Sequence, residues 1–201
     1  MGHLAAKDVY RDLGRKLDGL ATRAPWNETL RAILSALYTP EEADLVARMP
    51  SGLASLDRIA EVTGLERARL RSLLERLADK GLVMDLCLGE EWRYSISPLV
   101  VGVFEFTMMR AGAEADHTKV APLFHEYLSD RIWFQGNYGA GQEIGIMRSI
   151  PHAGTVADED VVEVLDYEKA EAIVESADRF SMGICSCRHE KEHAGAAPPA
   201  P

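Results

Sequence analysis

The segment "SLDRIAEVTGLERARLRSLLERLADKGLVMDLCLGEEWRYSISPL" constrains the fold most, because its hydrophobic period changes partway along. Its first part has two short runs of apolar residues at helical spacing, which Gly64 separates and Gly81 ends. Its second part has two strand-like runs around the glycine-containing turn "GEE", a pattern that is typical of a β-hairpin. The sequence therefore predicts two helices followed by a hairpin.

Start signals predict further helices upstream of this segment. Asn27 is the expected N-cap of one helix, and Thr39 caps the next, with Pro40 in its first position. Residues 1–26 have the period of an additional N-terminal helix. With the hairpin, residues 27–98 resemble a winged helix-turn-helix domain in the order of their elements. The predicted fold class is α+β and mostly helical.

The C-terminal half is predicted to join helices to a small sheet. Residues 99–132 are expected to form connecting helices, of which an apolar helix over 98–110 is the first. Residues 133–193 contain glycine-rich loops, the strand-like runs "GIMRSIPH" and "VVEVLD", a helix capped by Asp166, and a final Cys-x-Cys motif. A soft boundary falls near 115–135, and residues 194–201 form a low-complexity tail, which we expect to be disordered.

The composition indicates a cytoplasmic globular protein. Apolar residues make up 47% and charged residues 27% of the chain. No apolar run reaches the roughly 18 residues of a membrane span, and the N-terminus does not resemble a secretory signal, so no membrane association is expected. The formal net charge of −10 repels nucleic acid, so a DNA-binding role would need a local basic face.

Two of the three cysteines lie one residue apart in "GICSCRHEKEH". In an extended segment, Cys185 and Cys187 would project to the same side about 6.5 Å apart, so both thiolates could bind one metal ion or cluster. Arg188 would favour the thiolate form of its neighbours. The motif alone fits two free thiols equally well. Cys87 lies in an apolar run and is expected to be a buried structural thiol.

Two histidines extend this motif and offer an alternative cofactor. Cys185, Cys187, His189 and His193 form a C-x-C-x-H-x3-H set of the ligand types that zinc prefers. The set is more compact than usual zinc modules, in which two ligand pairs come from separate elements. Solvated histidines in a charged run are therefore the more common interpretation of this pattern.

The segment from Gly145 to Gly195 resembles part of a known family. An Arg-x-Ile-Pro element precedes a Val-Leu-x-Tyr-Glu helix, which leads into a Cys-x-Cys-Arg-His run. These features are similar to those of ferredoxin-like iron–sulfur proteins of anaerobic prokaryotes that carry an N-terminal winged-helix region. The matching residues are Arg148, Ile150, Pro151, Val164, Leu165, Tyr167, Glu168, Ala170, Ile173, Ala177, Cys185, Cys187, Arg188 and His189.

The resemblance implies an electron-transfer protein that binds a 4Fe–4S cluster. It implies that Cys185 and Cys187 are iron ligands, that Arg188 lies beside the cluster, and that the partner is a redox protein. In the family further cysteines follow, whereas this chain continues "EHAGAAPPAP". The ligand set is therefore incomplete, and a truncated form is expected rather than loss of the cluster. No nucleophile–base arrangement predicts an enzyme acting by itself.

The alternative function is a winged-helix transcriptional regulator whose C-terminal region senses a metal or redox state. Its DNA contacts would be Arg67, Arg69 and Arg71 in the second helix and Arg93 in the hairpin. Acidic residues alternate with these arginines, as on an ordinary solvated helix face, so DNA binding is not favoured. Homodimerisation through the winged-helix region and the 98–110 helix is at least as well supported, and an interaction domain without metal is the third interpretation.

Overall fold

The computed structural model describes residues 8–110, 116–138 and 167–196, and this part of the chain is mostly helical with one small antiparallel sheet. This confirms the α+β class. The helices and strands are α1 Val9–Asp18, α2 Glu28–Leu37, α3 Pro40–Arg48, β1 Ala54–Ser55, α4 Leu56–Thr63, α5 Arg67–Asp79, β2 Val83–Leu88, β3 Glu91–Ile96, α6 Phe104–Met108, α7 His117–Ser129, α8 Arg131–Tyr138, α9 Tyr167–Glu175 and α10 Ser186–Ala194.

The chain divides into two units. One comprises Met1–Gln142 together with Gly183–Pro201, and the other comprises Glu143–Met182. In the second unit the structure describes α9 and the residues that follow it, and the side chains of 171–182 are exposed. The predicted strands "GIMRSIPH" and "VVEVLD" and the cap Asp166 lie outside the described residues. No helix in the described part has both the length and the apolar composition needed to cross a bilayer.

The predicted starts of α2 and α3 are confirmed. The Asn27 side chain accepts a hydrogen bond from the backbone N–H of Leu30 at 2.8 Å, which begins α2. Thr39 and Glu42 form a capping box at the start of α3, in which each side chain accepts the other's backbone N–H. Two otherwise unpaired N–H groups are thereby satisfied, and this fixes where the helix begins.

The predicted hairpin is also confirmed, and it belongs to a three-stranded antiparallel sheet in the order β1-β3-β2. Tyr94 of β3 lies opposite Ala54 of β1 and Asp85 of β2. The inner ends of the strands are buried, whereas the outer half of the hairpin is exposed, including Trp92 at 50%. Cys87 lies opposite Trp92 and is exposed, so the prediction of a buried thiol is wrong. The reason is that this part of β2 extends beyond the core.

One continuous core joins the helices of the larger unit. The apolar stripe of α5 meets β2, and α7 packs on α2. The Tyr127 hydroxyl of α7 donates to the carbonyl of Pro25 at 2.8 Å, just before α2. Fully buried members of this core include Leu30, Ile33, Leu34, Leu45, Ile59, Leu70, Leu74, Val103, Phe124 and Tyr127. This packing fixes α6 and α7, against which the C-terminal helix lies.

The predicted apolar helix over 98–110 is wrong in its first half. The backbone from Val100 to Gly102 is not helical, and Val101 has a φ of 51°. The Glu105 side chain accepts the backbone N–H of Gly102 at 2.8 Å, which stabilises this irregular turn. The regular helix is the short α6, and it ends at Met108.

Candidate functional site

The C-terminal helix α10 carries the cysteines and histidines that the sequence singled out. Cys185 is its N-cap residue, makes no side-chain capping hydrogen bond, and is exposed, as is Cys187 in the first turn. The backbone N–H of His189 donates to the Cys185 carbonyl at 2.9 Å, and this bond begins the helix. His189 and His193 are four residues apart and therefore lie on one helix face.

The extended geometry that would place both thiolates on one side does not continue through the Cys-x-Cys segment, and the two thiols lie at a helix end. Cys185 has extended backbone, but Cys187 is helical. Side chains follow one another at about 100° around a helix, so the same-side alternation of a strand does not apply here. The two thiols instead occupy the N-terminal end of α10, next to the exposed side chain of Arg188. The helix dipole and this guanidinium both favour an anion at that end.

Backbone and side-chain contacts hold α10 against α6 and α7. The N–H of Ile184 donates to the Met109 carbonyl at 3.1 Å, and the Lys191 ammonium donates to Nδ1 of His125 at 2.7 Å. Glu190 is only 4% exposed, and its carboxylate lies 3.4 Å from Lys191 and 2.9 Å from His125. These contacts join one side of α10 to α7.

Three half-buried histidines from two helices meet at this junction, and we call them the histidine triad: His117, His189 and His193. Ring centroids are 4.7 Å apart for His117 and His189, and 4.6 Å for His189 and His193. One ring nitrogen from each histidine lies within 4.8 Å of the other two. Within the described ranges, this is the group of side chains that could hold a metal ion.

Two ring N–H groups of the histidine triad donate to backbone carbonyls at the end of α6. Nε2 of His117 donates to the Thr107 carbonyl at 3.0 Å, and Nδ1 of His189 donates to the Met108 carbonyl at 2.7 Å. A helix leaves its last carbonyls without internal partners, so they are available for these bonds. Nε2 of His193 lies 2.9 Å from Nε2 of His189.

The sequence prediction included His189 and His193 but missed His117, and the metal group does not include the predicted partners Cys185 and Cys187. His117 lies far away along the chain and belongs to no local motif. The run "HEKEH" does match H-E-x-x-H, a zinc-site signature when it falls on a helix, and it could have indicated the His189–His193 pair. Glu190 differs from the glutamate of that signature, because it is buried against His125 and Lys191.

The arginines proposed for DNA binding are largely paired with acidic side chains. Arg67 pairs with Asp57, and Arg69 donates to Glu41 of α3 at 2.5 Å and 2.9 Å. Arg93 lies 2.8 Å from Glu91. Arg71 makes no such ion pair within the described residues.

A cavity of about 460 Å³ lies between α5 and the hairpin. Its lining contains more carboxylates than guanidinium groups. The charged residues around it are Asp57, Arg67, Arg71, Glu75, Asp85, Glu90 and Glu91. This surface is therefore acidic at the place where a winged-helix domain would receive nucleic acid.

Comparison of the chain with protein-family models, with curated proteins and with solved structures found no match.

Proposed function

We propose that this chain is an iron–sulfur electron-transfer protein in which α10 provides Cys185 and Cys187 as ligands. The observation that carries the proposal is the position of both thiols, exposed at an N-terminal helix end whose cap has no side-chain hydrogen bond. Thiolates are the ligands of iron–sulfur clusters, and a positive helix end stabilises their charge. The resemblance of the Cys-x-Cys-Arg-His run to iron–sulfur proteins supports the same assignment.

The chain supplies part of the ligand set. A 4Fe–4S cluster takes four thiolates, and the chain contains three cysteines, of which Cys87 lies in the hairpin. With Cys185 and Cys187 as its ligands, α10 provides two of the four thiolates, and an added thiol can provide the other two in the experiment below. Such a cluster would supply one-electron transfer when bound. The chain's own residues would hold it at the surface, where Arg188 offsets negative charge and a redox partner protein can approach.

Anaerobic reconstitution with iron, sulfide and an added thiol tests this proposal. The wild-type chain should gain iron, acid-labile sulfide and broad visible absorbance. Because the chain supplies thiolates from α10, the Cys185→Ser and Cys187→Ser variants should each lose most of the bound iron. Cys87→Ser is the matched control, since Cys87 is also exposed but lies in β2, and it should load like the wild type. Equal iron and sulfide content in all four proteins, or none in the wild type, would contradict the proposal.

A second candidate is a winged-helix transcriptional regulator with a metal- or redox-sensing C-terminal region. The element order from α3 to β3 and the sheet order β1-β3-β2 favour a winged-helix domain. The ion-paired arginines and the acidic cavity favour docking or dimerisation over DNA binding in that domain. The iron–sulfur protein is therefore the leading proposal, with this domain as its partner-binding module.

We expect no more than weak, nonspecific DNA binding by the whole chain. Phosphates approaching the cavity would meet uncompensated carboxylates, and Arg71 is the guanidinium there without an ion pair among the described residues. Fluorescence anisotropy with labelled duplex DNA, titrated at low and at physiological salt, measures this. Tight binding with a steep salt dependence that Arg71→Ala removes would instead favour the regulator. Lys16→Ala on α1, away from the cavity, is the matched charge control.

A further inference from the structure

We propose that the histidine triad is a zinc site, separate from the thiol pair at the start of α10. Its ligand atoms would be Nδ1 of His117, Nε2 of His189 and Nε2 of His193. Nothing in this assignment depends on the proposed iron–sulfur function, because no cysteine belongs to the triad.

The spacing of the nitrogens suits one ion. For Zn–N bonds of about 2.0–2.1 Å, ligand nitrogens in a tetrahedral site lie about 3.3 Å apart. The His189 and His193 Nε2 atoms are 2.9 Å apart, and one ring nitrogen of His117 lies within 4.8 Å of a ring nitrogen of each of the other two. Binding one ion would therefore require the His117 ring to move toward the His189–His193 pair. His117 is the first residue of α7, and His193 lies near the end of α10, so neither ring is enclosed on every side.

The backbone fixes which nitrogens are free. A carbonyl only accepts hydrogen bonds, so the proton of His117 lies on Nε2 and that of His189 lies on Nδ1 when these bonds form. The opposite nitrogen of each neutral ring then presents its lone pair. A metal-bound histidine typically donates its other N–H to a carbonyl or carboxylate in this way, which orients the ring and raises its basicity.

The close approach of the His189 and His193 Nε2 atoms requires a proton or a metal ion between them. With the His189 proton held on Nδ1, its Nε2 presents a lone pair to the His193 Nε2 at 2.9 Å. Two lone pairs facing each other at that distance repel, so either a proton or a metal ion must lie between the nitrogens. A metal ion also uses the lone pair of His117, which a single shared proton leaves without a partner among the described residues.

The donor set selects the metal class and the type of site. Neutral imidazoles suit zinc and its transition-metal neighbours, and they suit calcium or magnesium poorly. Three histidines leave a fourth position for water or an external anion, as in open zinc sites. Glu190 does not belong to the histidine triad, and its buried carboxylate lies 3.4 Å from the Lys191 ammonium. The ion would join α7 to α10 and thereby hold the Cys185–Cys187 end of α10 in place.

Isothermal titration with Zn²⁺ alone tests the site in a Cys87→Ser, Cys185→Ser, Cys187→Ser background, in which no thiol competes. We expect one zinc per chain, and the Co²⁺-loaded form should show visible d–d absorption. His117→Ala and His193→Ala should each weaken zinc binding by at least about 100-fold, because each removes a ligand.

His125→Ala is the matched control, since His125 also contacts α10 but lies outside the triad. The zinc affinity of this variant should stay within a few-fold of that of the thiol-free background. Circular dichroism of each variant would show that helix content is retained. Zinc binding that survives His117→Ala and His193→Ala in folded protein would overturn the site, as would its absence from the thiol-free background. Neither result would bear on iron loading by the cysteines.

Discussion

Replacing Lys80 with methionine should lower the free energy of unfolding by about 3–5 kcal/mol. The Lys80 ammonium lies 2.9 Å and 3.0 Å from the two carboxylate oxygens of Glu42, whose side chain is only 2% exposed. Without Lys80, the Glu42 carboxylate would be left buried without a counterion, although it would still accept the Thr39 N–H. Urea denaturation followed by tryptophan fluorescence measures the loss.

A double variant distinguishes the net contribution of the Glu42–Lys80 ion pair from the cost of leaving one buried charge without its partner. Glu42→Gln combined with Lys80→Met removes both charges, and replacing a whole buried pair is often close to neutral, so it should recover most of the stability. A loss below about 1 kcal/mol for Lys80→Met alone would contradict this account of the pair.

The pair also predicts a pH dependence. Burial raises the pKa of Glu42, but the Thr39 N–H and the Lys80 ammonium together lower it by more, so the pKa lies below its ordinary value. A carboxyl with a lowered folded-state pKa contributes stability above its unfolded pKa of about 4.3, and this is lost as pH falls through the folded pKa. The Glu42→Gln variant should therefore lose less stability than the wild type on acidification below about pH 4.

Replacing Gly81 with alanine should destabilise the protein by about 2–5 kcal/mol, from backbone strain and overpacking together. Gly81 has a φ of +78°, and a Cβ placed there would lie 2.7 Å from Cβ and 3.1 Å from the backbone carbon of Phe106 in α6. Gly64→Ala is the matched control, because Gly64 has a φ of +70° with no atom near the added Cβ. It should cost only about 1–2 kcal/mol.

Gly81→Ala should also disturb the histidine triad. Phe106 is followed directly by Thr107 and Met108, whose carbonyls orient His117 and His189. Displacing α6 at Phe106 should move these acceptors, so Gly81→Ala should weaken zinc binding and Gly64→Ala should leave it unchanged. Denaturation and zinc titration of the two variants test both effects. Equal destabilisation by the two would show that the Phe106 contact costs nothing.

Local signals predicted the N-terminal half of the fold well. Asn27, Thr39 and Gly64 act on the backbone within four residues, so their effects can be recognised without knowing the tertiary structure. The break at Val100–Gly102 could not be predicted in this way, because an apolar run has helical spacing whether or not its backbone is helical. The exposure of Cys87 depends on how far the core extends beneath β2, and the sequence does not indicate that distance.

In the candidate sites, too, some residues can be recognised from the local sequence and others only from the tertiary packing. The Cys185–Cys187 pair and the His189–His193 spacing are local and can be read along one segment. His117 reaches the site only because α7 packs on α10, and its ring has no sequence neighbour that marks it as a ligand. The pairing of Arg69 with Glu41 likewise joins two helices that the charge pattern alone does not place together. Sites formed by residues on different helices can therefore be recognised only from the folded structure.

Anomalous diffraction from protein loaded anaerobically with iron, sulfide and an added thiol, in the presence of zinc, tests the central claim most directly. Data at the iron edge should show a peak beside the sulfur atoms of Cys185 and Cys187, and data at the zinc edge should show a separate peak among the rings of the histidine triad. Absence of iron from the two sulfur atoms, in crystals whose protein contains iron and sulfide, would contradict the iron–sulfur assignment.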